Sequence, residues 1–172
     1  MKSLVWFITG ASRGFGLEIA RAALERGDAV VAAARDPKVV ERAFGQHEQL
    51  LAVELDVTDE REAQAAVSAA LARFGQIDVL VNNAGRGLLG AVEEASAEEV
   101  RSVFAVNVDG LLNVTRAVLP SMRERRSGRI LNSARWADSV RGRDGASTAL
   151  RSLPLRESAK RSTPNCCRSG SM

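Results

Sequence analysis

A chain of 172 residues with 45% apolar, 26% charged and 4% aromatic residues has ordinary globular composition and the length of one domain. That composition excludes disorder throughout, and no uninterrupted apolar run reaches the roughly 18 residues of a membrane span. The net charge of +3 conceals a break: residues 1–132 carry 16 Lys/Arg and 18 Asp/Glu, whereas residues 133–172 carry 8 and 3.

Leu4–Ile8 is a continuous apolar run, as expected of a strand buried on both faces. A Gly-rich turn follows, then a predicted helix with Leu17, Ile19, Ala20, Ala23 and Leu24 on its apolar side and Gly27 as its stop. Ala29–Ala34 is a second strand, and Pro37 opens a short helix to Phe44. Leu50–Leu55 is a third strand. Thr58 is the expected cap of a helix over 59–74 that Gly75 ends, and Ile77–Val81 is a fourth strand. Ser96 and Glu99 form a capping box opening a long helix to Arg125, with Val100, Val103, Phe104, Asn107, Leu111, Val118 and Met122 on one stripe. Gly128–Asn132 begins a fifth strand. Strands alternating with helices of this length call for a parallel sheet with right-handed crossovers.

The first turn reads Thr9-Gly10-Ala11-Ser12-Arg13-Gly14-Phe15-Gly16. Glycines between a strand and a helix allow a tight turn and the close approach of a pyrophosphate, which the free N–H groups and positive dipole end of the helix attract. The plain alternative is a turn without a ligand. At the end of the second strand, where an acid would hold a ribose 2′-hydroxyl, the chain reads Ala34-Arg35-Asp36. Arg35 and Arg13 together favour a 2′-phosphate, hence NADP; Asp36 keeps NAD open, and two surface arginines are the simple alternative. Asp56-Val57 after the third strand can accept from an adenine amino group or cap backbone donors. Asn82-Asn83-Ala84-Gly85 after the fourth suits a close approach to a cofactor, or ordinary turn chemistry. An amide at Asn107 on an apolar stripe needs a partner, either structural or a proton-relay water.

His47, the one histidine, sits in a polar connection, with no metal-ligand spacing around it. Cys166 and Cys167 are adjacent, which is neither a disulfide framework nor a zinc spacing. The first residues lack a signal-peptide pattern, so a cytoplasmic protein with no membrane partner is expected.

Together, Thr9–Gly16, Asp56-Val57, Asn82–Gly85 and Val106-Asn107-Val108 resemble the short-chain dehydrogenase/reductase superfamily over residues 4–132. Val5-Trp6-Phe7-Ile8 with the Gly-Phe-Gly turn is similar to its hydroxysteroid- and retinol-dehydrogenase-like members. The resemblance implies an α/β fold, a Rossmann-type doubly wound parallel sheet, that moves a hydride between NAD(P) and an alcohol or carbonyl substrate. It implies cofactor-binding roles for Gly10, Ser12, Arg13, Gly14, Phe15, Gly16, Arg35, Asp56, Val57, Asn83, Ala84 and Gly85. The implied catalytic set is Asn, Ser, Tyr and Lys; Asn107 matches its Asn. The chain contains no Tyr, and Ser133 is out of register with the family's paired serines.

Residues 1–132 are therefore expected to form an NAD(P)-binding domain of about five strands, without the family's C-terminal strands, and residues 133–172 an aberrant, disordered basic tail. A bared edge on strand five and an uncovered face on the long helix would leave the family's homo-oligomer interface incomplete. Three readings of the tail compete: a basic arm for nucleic acid, a divergent end, or translation out of frame. Combining the last base of each codon with the first two of the next permits Tyr across Ser147–Thr148 and Lys across Arg151–Ser152, four steps apart, within a family-like string. The resulting expectation is an NADP-dependent oxidoreductase by descent that is catalytically defective as written; the alternatives are a non-catalytic dinucleotide-binding remnant and a nucleic-acid binder.

Overall fold

The computed structural model describes residues 3–88, 91 and 93–133, so the expectations for the tail lie outside the described residues beyond Ser133. Five strands, β1 (Val5–Thr9), β2 (Ala29–Ala34), β3 (Leu50–Glu54), β4 (Val79–Asn82) and β5 (Arg129–Asn132), form one sheet in the order β3-β2-β1-β4-β5. Every pairing is parallel, with Phe7 beside Val31 and Leu80, and Asn82 beside Asn132. This is the doubly wound α/β arrangement that the alternation of elements predicts.

Its helices are α1 (Gly14–Glu25), α2 (Pro37–Phe44), α3 (Glu60–Phe74), α4 (Ala97–Phe104) and α5 (Leu111–Glu124), the last two joined by a π-helical stretch at Ala105–Gly110. Alternate strand residues serve opposite faces. Phe7, Val31 and Leu80 pack with Val67 of α3 and Val114 and Val118 of α5; Ile8, Val30 and Val81 pack with Ala20 of α1 and Val40 of α2. β1, β2 and β4 thus need apolar residues at consecutive positions, which explains their unbroken apolar runs.

Several boundaries differ from expectation. Asp59, not Thr58, caps α3: its carboxylate accepts from the N–H groups of Arg61 and Glu62 at 2.7 and 3.2 Å. Thr58 is engaged instead by Asp56. Ile77 is buried but precedes β4; its carbonyl accepts from the Arg125 side chain, which also pairs with the Asp78 carboxylate. The capping box of Ser96 and Glu99 is present in both directions.

The expected long stripe is broken. Val118 and Met122 are buried, but Val100 and Phe104 are exposed at 38% and 58%, and Asn107 is exposed as well. The π stretch adds a residue to the turn and so shifts the phase between the two halves; α4 buries no residue, whereas α5 reaches the core through Val114, Ala117, Val118 and Met122. By length and composition the helix 97–124 could cross a membrane, with mean hydropathy 1.2 in its most apolar window and 17% of that window buried. Here its α5 half packs on α3 and β4. β5 is exposed along its length, Ile130 and Leu131 included, and among the described residues it pairs with β4 alone.

Candidate cofactor cleft

The C-terminal ends of the strands open into a cleft of about 610 Å³. Gly10, Ser12, Arg13, Gly14 and Phe15 line it from the first turn; Ala34 and Arg35 from the end of β2; Asp56 and Val57 from the end of β3; Asn83, Ala84 and Gly85 from the end of β4. Arg86 and Val106 complete its wall. Eleven of the sequence-predicted binding residues are therefore brought together from four separate connections. Two predicted residues stand apart from the lining, Gly16 and Asn107.

Gly16 supports the wall from behind. A Cβ there would overlap the Asn83 side-chain amide and come within 2.5 Å of the Gly10 carbonyl oxygen. Gly10 has φ +65°, and a Cβ on it would lie 3.0 Å from Ala84 Cα. The two turns are thus in backbone contact, and the glycines are needed for that contact before any ligand is considered.

Thr9 locks the same junction, and the sequence pattern did not single it out. It is 2% exposed. Its hydroxyl oxygen accepts from the N–H groups of Asn83 and Ala84 at 3.0 and 2.9 Å, and its O–H donates to the Val81 carbonyl at 3.4 Å. Asn83 returns the contact: its side-chain amide donates to the carbonyls of Thr9 and Gly10 at 3.0 and 3.2 Å. The available signal was a lone hydroxyl ending an apolar strand directly before a glycine, where burial demands partners.

The first turn of α1 has the features of an anion site. Its N-cap Arg13 makes no side-chain capping bond, and no acidic residue occupies the first turn. The leading N–H groups therefore face the cleft side with no side-chain acceptor from the cap. Gly14, at φ +58°, has open space where a Cβ would stand. Arg13 and Arg35 are exposed beside it, and among the described residues neither forms a salt bridge. Asp36 is used elsewhere: it caps α2, accepting from the Lys38 N–H at 3.0 Å, and lies 3.8 Å from Arg42.

Asp56 faces the cleft as a carboxylate. The Thr58 N–H at 2.9 Å and hydroxyl at 2.7 Å donate to Oδ1, and with Arg35 beyond them hold this group below the usual carboxylate range against the opposing effect of burial. Val57 is buried against Gly110, where a Cβ would approach its Cγ2 to 2.5 Å, and Asn113 donates to the Val57 carbonyl at 3.2 Å. The glycine inside the long helix is therefore a packing requirement, another position not singled out beforehand.

Asn107 is in the π stretch, exposed, and bonded on both sides of its amide to the backbone of Arg86. The expectation of a buried polar group on an apolar stripe is corrected: its partner is the loop after β4. His47 is exposed, its Nδ1 accepting from the Gln49 N–H at 3.2 Å. Among the described residues no three His, Cys, Asp or Glu side chains gather as a metal site.

The profile of the short chain dehydrogenase family matches residues 4–146, continuing past Asn132. Oxidoreductase BOA17 of Botryotinia fuckeliana is 42% identical over 145 residues, covering 83% of this chain and 51% of that protein. Among solved structures, a 3-ketoacyl-(acyl-carrier-protein) reductase from Brucella melitensis complexed with NADH superposes with TM-score 0.72 at 38% identity, covering 76% of this chain and 57% of that one. An alcohol dehydrogenase from Thermococcus sibiricus complexed with 5-hydroxy-NADP gives 0.70 at 34%, covering 76% and 57%. The chain spans about half the length of the curated relatives it matches.

Proposed function

Because this chain belongs to the short-chain dehydrogenase family, an oxidoreductase family that binds NAD(P), we propose that its cleft holds NADP(H), and that by descent it is the cofactor half of a site for hydride transfer between NADP(H) and a small alcohol or carbonyl substrate. The observation that carries the choice of NADP is the end of β2. Ala34 offers no carboxylate to a ribose 2′-hydroxyl, Arg35 and Arg13 line the same cleft, and Asp36 is occupied as the cap of α2.

The residues present fit the cofactor. The uncapped first turn of α1 and Gly14 receive the pyrophosphate, the two guanidiniums pair with a 2′-phosphate, and the Asp56 carboxylate accepts from the adenine amino group. Asn83 and Ala84, fixed through Thr9, would with Gly85 line the nicotinamide side. When bound, the cofactor supplies or takes the hydride. The chain's own part is to bind and orient it. Proton delivery to a carbonyl oxygen needs a general acid, and the chain holds no tyrosine to act as the family's acid. As written, this chain therefore binds the cofactor without turning it over. Asn107, by its match to the family motif, holds the relay water in an intact site.

Titration of the purified protein with NADPH and NADH, followed by nucleotide fluorescence, tests the reading. NADPH is expected to bind at least about tenfold more tightly, in proportion to roughly 1.4 kcal/mol or more from charge-assisted contacts to one phosphate. Arg35→Ala should remove most of that preference. Equal affinity for both nucleotides would reject the NADP choice, and a folded protein that binds neither would reject the cofactor site.

A further inference from the structure

The segment after β5 is encoded, we infer, one nucleotide out of step: the frame abandoned at the Ser133 codon still specifies the proton-relay half of the site. The inference rests on the family assignment for the residues sought, and not on the choice of cofactor. Its structural ground is the end of β5. Asn132 pairs with Asn82 in the sheet, and the Ser133 hydroxyl donates to the Asn82 carbonyl at 3.2 Å and lies 3.5 Å from Asn83 Oδ1. Asn83 lines the cleft, so β5 and Ser133 end beside it. At this point the family resemblance calls for paired serines, and the chain instead turns basic.

One missing base would make each original codon the third base of one present codon plus the first two of the next. The Ser133–Ala134 and Ala134–Arg135 junctions then both admit serine, in the position where the pair is needed. Some junctions leave no choice. Trp136–Ala137 must read GGC, glycine, and Asn165–Cys166 and Cys166–Cys167 must each read TTG or CTG, leucine. The permitted run is Ser-Ser-Val-Gly, then, after a short interval, Pro-Gly-Trp-Gly-Ile-Tyr-Ser-Ala-Ser-Lys-Phe-Ala-Val-Glu-Gly-Ile-Cys-Glu-Thr-Leu-His-Ala-Glu-Leu-Leu-Pro. Its tyrosine falls 13 codons after the second serine, and its lysine 4 codons later.

That run also has the physics the present tail lacks. Beyond the lysine, Val, Ile, Cys, Leu and Leu recur at i, i+3, i+4, i+7 and i+11, one apolar face of a helix, and proline comes only at the end. A helix striped in this way suits that end of the sheet, where Ile130 and Leu131 stand 36% and 48% exposed and, among the described residues, β5 has one partner. A serine, a tyrosine and a lysine encoded past Asn132 would join Asn107, which is bonded to the cleft wall through Arg86, to complete the catalytic set that the family resemblance implies.

The nucleotides decide the matter. The Ser147 codon must end in T, giving TAC across Ser147–Thr148. The Arg151 codon must end in A and the Ser152 codon begin with AG, giving AAG across that junction. Sequencing the locus and its transcript should show these bases, and any other base at these three places overturns the inference. A coding sequence with one nucleotide inserted in the Ser133 codon should yield a soluble product that oxidises NADPH in the presence of ketones, at a rate at least a hundredfold above this chain, with an early stop in that frame counting against the inference. Correct bases with no binding of either nucleotide would leave the frame inference standing and remove the cofactor reading.

Discussion

Asn107 and Arg86 are joined by two opposed hydrogen bonds: the Arg86 N–H donates to Oδ1 at 3.0 Å, and Nδ2 donates to the Arg86 carbonyl at 2.9 Å. This pair ties the π stretch of the long helix to the loop that forms one wall of the cleft. An amide suits the task because it offers one donor and one acceptor in a plane, matching the two groups of a single backbone residue.

Asn107→Ala removes both bonds. Being exposed, they are worth about 1 kcal/mol each at most. The expected result is a small loss of global stability, about 1 kcal/mol in urea unfolding, with a larger rise in amide exchange at residues 84–88. Unchanged exchange there would show that the loop is held by other contacts.

Gly16→Ala places a methyl group on the Asn83 amide and the Gly10 carbonyl. Neither neighbour is the free end of a flexible chain: Asn83 is held by Thr9 and Gly10, and the Gly10 oxygen is backbone. The turns must separate, at a cost of about 1–3 kcal/mol. A thermal melt should show the loss, and nucleotide affinity should fall at least about tenfold with it.

Thr9→Val keeps the shape but strands the N–H groups of Asn83 and Ala84 in the interior. The expected destabilisation is about 2–4 kcal/mol, the lower part of a range of about 1–3 for each of two unsatisfied donors, because the junction is half-buried. Thr9→Ser keeps the acceptor and should recover most of it. Equal losses in the two variants, measured by chemical denaturation, would show that the missing methyl group matters more than the bonds.

The Asp56 carboxyl, held down by Thr58 and Arg35, titrates in the folded protein below its unfolded value near 3.8. Its contribution to stability is therefore complete above about pH 5 and is lost as acid carries the pH through the folded value. Asp56→Asn should be less stable than the parent at pH 7, converge with it in acid, and so show a flatter stability across that acidic window. A variant as acid-sensitive as the parent would place the titrating group elsewhere.

The parallel sheet, the alternation of its elements along the chain and most of the cleft were legible in the order of residues, and the order of strands within the sheet came from the structure. Consecutive apolar positions announce strands covered on both faces, and the turns that follow them carry the residues that meet at one end of such a sheet. The fold class follows from that alone, and the eleven lining residues follow from those turns together with the family resemblance. Thr9 was not legible, because a threonine ending a strand is common and its importance arises from N–H groups more than seventy positions away. Gly110 was missed for the same reason: what forbids a side chain there is Val57, brought over from another connection.

The amino-acid order by itself determined the alternation of elements and the family, and the break in charge after Asn132, since these depend on local pattern and composition. Only the tertiary structure decided that Asp36 is a helix cap, that Asn107 holds a loop, and that the long helix turns out of phase at residues 105–110. Each of those depends on which backbone groups are left unpaired when distant segments come together, and that is a property of the packed chain.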